Sequence, residues 1–118
     1  MIRWLVGLFF IAHGLIHAAV WLPPFREGAS FNPSRSWLLG VLGVGEGPMR
    51  SAAVALALVA TVGFILGGLG WWIAAQGWGR FFPVWSAMIS LLLVAAYFHP
   101  WLSFAALINV AILYQLLR

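Results

Sequence analysis

Two histidines four residues apart, His13 and His17, stand inside an apolar stretch that runs from Ile2 to Leu22 and ends at Pro23-Pro24. Residues at that spacing lie above one another on one helical face, so the two imidazoles are read together. An ionisable side chain within a membrane helix is costly to bury, which makes it a candidate for function. Three chemistries are open to the pair. As an i, i+4 chelate it can hold a metal, but zinc sites use three or four protein ligands and the chain has only one further histidine, His99. His17 and His99, with Tyr97 nearby, can serve as contacts to haem or quinone. As neutral imidazoles the histidines can instead hydrogen-bond across helices and act as polar glue.

The elements that must position these residues are membrane helices. Of 118 residues, 64% are hydrophobic and 7% charged, far from the roughly half-apolar, quarter-charged balance of soluble domains. Lysine, aspartate and cysteine are absent, which removes disulfides and thiolate chemistry. The net charge of +4 comes from six arginines placed singly at the ends of apolar runs. Such placement suits headgroup anchors and not a nucleic-acid surface, where basic residues cluster.

Four spans follow from length and punctuation: residues 2–22, 48–75, 83–98 and 100–117, with a long loop over 23–47. The first is of spanning length, longer than a signal-peptide core. In it Val6, Phe10, His13, His17 and Trp21 share a face beside the small residues Gly7, Gly14 and Ala18, so that face is expected to turn inward. Within the loop, Asn32-Pro33 is read as the cap and first position of a short interfacial helix. Glycines at 40, 43, 45 and 47 have no preceding strand and no following lysine, so they are read as a flexible loop. Ala53, Ala57, Gly63 and Gly67 give the second span a packing stripe. Gln76 to Arg80 is read as a turn, Pro83 as the start of the third span, and His99-Pro100 as the hairpin before the fourth. The expected fold is therefore an all-α integral membrane protein, a single four-helix bundle with both termini on one side. Arginines divide three against three between the two sides, so N-in, C-in is a preference only.

Counting about 1.5 Å per residue assigns His13, Ser90 and Asn109 to a central polar layer and His17, Tyr97 and His99 to a layer nearer the long loop. His13 is expected to be uncharged and paired with Asn109 or Ser90. Four spans in so short a chain match small multidrug transporters in size, but those depend on a carboxylate in the first helix and this one has none.

Arg3, Gly7, Phe9, Phe10, His13 and Gly14, with the count of four helices, resemble the DoxX-like family of small membrane proteins. The resemblance implies a membrane partner of oxidoreductase or thiosulfate:quinone chemistry, and carries over one position, His13. Two expectations stay open. One is a non-catalytic subunit or scaffold, packed against other membrane subunits or copies of itself in the bacterial inner membrane. The other is a redox-associated protein contacting haem or quinone through His17, His99 and the His13 layer.

Overall fold

The computed structural model describes residues 1–118 and is helical throughout, without strands. In chain order the elements are α1 (Ile2–Trp21), α2 (Trp37–Val41), α3 (Glu46–Trp72), α4 (Gln76–Ala96), a 3-10 turn (Pro100–Leu102) and α5 (Ser103–Leu117). Four of them are long and apolar enough to cross a bilayer, namely α1, α3, α4 and the run from Pro100 through α5. The chain is an integral membrane protein, and helices are one of the two structures whose backbone polar groups are all satisfied in hydrocarbon.

α1 packs on α3, α3 on α4 and α4 on α5. The Trp72 indole donates to the Trp4 carbonyl, 3.1 Å away, so the end of α3 lies beside the start of α1. Arg80 at the start of α4 reaches the Leu116 carbonyl at the end of α5. Both termini therefore share one end of the bundle, and α4 and α5 form the expected hairpin. Close helix approach is made by small residues. A side chain at Gly68 would meet the Gly7 carbonyl, and one at Gly14 the Thr61 carbonyl at 2.9 Å. Gly63 and Gly67 make room for Ser86 and Pro83 of α4. The small residues thus pack α1 and α4 on neighbouring faces of α3.

Helix carbonyls left open at C-termini need partners from elsewhere, and neighbouring segments supply them. Arg50 of α3 donates to the carbonyls of Trp21, Leu22 and Pro23 at the end of α1. Ser36 and Trp37 donate to Ala96 and Ala95 at the end of α4, at 2.6 and 2.7 Å. Arg80 does the same for α5 at 2.6 Å.

Two boundaries differ from expectation. The third span opens at Gln76, not Pro83, so the proline lies inside α4. Proline cannot supply the N–H that the carbonyl four residues earlier would accept, and that carbonyl, Gly79, is taken instead by the Trp71 indole at 2.9 Å. In the long loop, Asn32 does not cap a helix. Its side chain accepts from the Ser34 N–H and its carbonyl from the Arg35 N–H, which closes a turn. Ser36 is the cap of α2, accepting from the Leu39 N–H at 3.1 Å.

Candidate functional site

The two apolar cores of the bundle are separated by a polar layer. Trp21, Ala57, Leu93 and Tyr97 belong to the core on the long-loop side, and Phe10, Phe64, Ala87 and Ile112 to the core on the terminal side. Between them lie His13, His17, Ser90 and Asn109, all buried. Asn109 Nδ2 donates to Ser90 Oγ at 2.7 Å and to the Ala105 carbonyl at 2.9 Å. His13 Nε2 meets Asn109 Oδ1 at 3.2 Å. His17 Nε2 meets Ser90 Oγ at 2.5 Å, and His17 Nδ1 meets the His13 carbonyl at 2.9 Å.

The partners dictate where each proton sits. A carbonyl only accepts, so His17 carries its proton on Nδ1, and with the ring uncharged its Nε2 must accept from the Ser90 hydroxyl. Ser90 Oγ then accepts from Asn109. The Ala105 carbonyl orients the Asn109 amide, because a flipped amide would set two carbonyl oxygens against each other. Asn109 Oδ1 therefore faces His13, which must carry its proton on Nε2. The bonds run from the His13 ring to Asn109, Ser90 and His17 and return to the His13 backbone. They form a closed directional circle joining α1, α4 and α5.

His17 belongs to this inner layer and not to the outer layer that depth counting assigned it. Side chains on a helix lean toward its N-terminus, which brings the His17 ring down one turn to the His13 carbonyl. Tyr97 and His99 are not part of the circle. The Tyr97 hydroxyl donates to the Met49 carbonyl of α3. His99 caps the 3-10 turn through Nδ1, accepting from the Trp101 N–H at 3.1 Å, with its ring 5.9 Å from Phe31. His17 and His99 thus do not face each other, and both nitrogens of His17 are already bonded.

His13 Nδ1 is the ring nitrogen that the circle leaves open. It is one potential ligand, and no group of three or more His, Cys, Asp or Glu side chains gathers anywhere in the chain. The Ser90–His17 bond has the donor order of a serine nucleophile with its base, but Ser90 is 0% exposed and its oxygen is also held by Asn109. No substrate carbonyl reaches it.

A second feature lies where α1 and α5 fail to pack against each other. A cavity of about 870 Å³ opens there in the terminal half of the bundle. Val6, Phe10, Ile108 and Ile112 line it, and so do Arg3, Gln76, Arg80 and Gln115, which stand near the terminal ends of their helices. In the sequence Arg3 and Arg80 read singly as anchors and Gln76 as part of a turn, and Gln115 carries no reading. The available signal was their shared position at the terminal ends of their helices.

Compared with family models, with curated proteins and with solved structures, the chain matches none.

Proposed function

We propose that the protein is a non-catalytic subunit or scaffold of a larger membrane assembly. The closed circle carries this reading: its four side chains bond one another and tie three helices together, as glue in a bilayer does. α5 adds a second support, since its main helix neighbour is α4 and it leaves Phe104, Leu107, Val110 and Tyr114 exposed. Helical spans and the DoxX-like character of the first helix favour the bacterial cytoplasmic membrane as its location. The mass of the protein in mild detergent or nanodiscs tests the reading. A self-associated species or a stoichiometric partner is expected, and a lone monomer with neither would end it.

One observation favours a redox-associated alternative of the DoxX-like kind. Phe9 stacks on the His13 ring at 5.8 Å and also lines the α1–α5 cavity, so a quinone ring in that cavity would lie near the polar layer. An optical spectrum and solvent extraction of the purified protein decide it. Bound haem or quinone supports the alternative, and a colourless, quinone-free protein removes it.

A further inference from the structure

We propose that the cleft between α1 and α5 binds a phospholipid with an anionic headgroup, the headgroup lying between Arg3 and Arg80 and an acyl chain lying along the apolar wall. This inference does not depend on the subunit reading.

The cleft asks for both parts of such a molecule. Its walls, with Val6, Phe10, Ile108 and Ile112, offer nothing to a polar ligand, and its volume of about 870 Å³ falls in the range of ligand pockets. It lies between two helices of membrane-spanning length, so an acyl chain could enter it from the bilayer.

Charge fixes the other end. Arg3 and Arg80 both line the cavity, and no acidic side chain does. The two acidic side chains of the protein, Glu27 and Glu46, lie toward the opposite end, Glu46 at the far end of the 27-residue α3. Arg50 holds three carbonyls and Arg35 approaches Glu46 at 3.9 Å; Arg3 and Arg80 are the two arginines that line the cavity. Arg80 is held by one nitrogen to the Leu116 carbonyl, which leaves its other N–H donors unpaired. Arg3 lies over the Trp4 ring at 5.5 Å with no carboxylate partner. A guanidinium carries five N–H donors in a planar fork that matches phosphate oxygens. Two such forks lining an otherwise largely apolar groove complement an acidic phospholipid better than a neutral or zwitterionic one.

Native mass spectrometry of the protein from nanodiscs tests this with phosphatidylglycerol and phosphatidylcholine of matched chains. The expected result is one retained phosphatidylglycerol, preferred about ten-fold or more, with the preference lost in Arg3→Gln/Arg80→Gln and kept in Arg26→Gln. Because Arg80 also caps α5, a second variant keeps both arginines and fills the groove. Ala111→Trp, checked for helicity, is expected to lose the bound lipid. Equal retention of the two lipids, an unchanged preference in the double glutamine variant, or undiminished binding by Ala111→Trp overturns the proposal. Displacement of the lipid by inorganic phosphate would show a simple anion site, and displacement by ubiquinone a quinone site; either result also overturns it.

Discussion

The indole N–H of Trp71 bonds the carbonyl of Gly79 at 2.9 Å, the acceptor that Pro83 leaves open four residues later in α4. An internal proline that would break a soluble helix is tolerated in a bilayer when a neighbour takes over its freed carbonyl. Trp71→Phe keeps most of the packing and removes the donor, so it should destabilise by about 1 kcal/mol. In a Pro83→Ala background the residue at 83 supplies its own N–H, and the same change should cost about half as much or less. Unfolding in detergent for the four members of the cycle checks this. Equal costs in both backgrounds would reduce the Trp71 role to packing.

The circle of hydrogen bonds assigns opposite tautomers to two histidines one turn apart. Nitrogen-15 NMR should show His13 protonated on Nε2 and His17 on Nδ1. Finding the same tautomer at both positions would break the circle.

Substitutions in that layer should rank by how many partners each strands. His13→Leu removes one side-chain bond, and membrane hydrogen bonds average only about 0.6 kcal/mol, so the bundle should stay folded. Ser90→Ala leaves both His17 Nε2 and an Asn109 N–H without a partner, at about 1–3 kcal/mol. Thermal unfolding of the two variants should separate them in that order.

Ala74 follows the C-terminus of α3 with φ of 59°, while the Ala75 N–H closes on the Gly70 carbonyl at 2.9 Å. A left-handed residue with a Cβ costs roughly 1–2 kcal/mol, and glycine is the usual occupant of this position. Ala74→Gly should stabilise the protein by about 1 kcal/mol, and Ala74→Val should destabilise it. Unfolding midpoints of the pair give the answer directly.

Glycines of the spans should divide sharply by position. Gly68→Ala sets a methyl against the Gly7 carbonyl, and Gly77→Ala in the first turn of α4 meets nothing within 4 Å. The first should cost about 1–3 kcal/mol through forced separation of α1 and α3, and the second should gain about 0.5–1 kcal/mol through helix propensity. A neutral Gly68→Ala would show that the α1–α3 contact is not backbone-limited.

Much of this architecture was legible because a bilayer demands long apolar helices, and polar or small residues within them must find protein. On the shared face of α1, Phe10, His13, His17 and Trp21 are buried and Val6 is half-buried, as a face turned into the bundle requires. Depth alone narrowed the partner of His13 to Asn109 or Ser90, and Asn109 is the one it meets. Depth counted at the backbone misassigned His17, because it ignored the lean of the side chain toward the helix start. Pro83 misled for a different reason: the rule that proline ends a helix is local, and the group that rescues it, Trp71, belongs to another helix. The α1–α5 cleft left no periodic trace, since it is a gap between two helices that meet at His13 and Asn109.

Membrane histidines, serines and asparagines at mid-depth commonly make a path for protons, yet the circle here conducts nothing. A proton hop needs each member to accept on one side and release on the other, and the Asn109 amide, which only donates at nitrogen and accepts at oxygen, does not do so. Nor does the path lead anywhere, since it comes back to a peptide carbonyl on the helix where it began. The expected consequence is a seal at this layer: vesicles carrying this protein should hold a pH gradient as long as empty ones, and a faster decay would show another path.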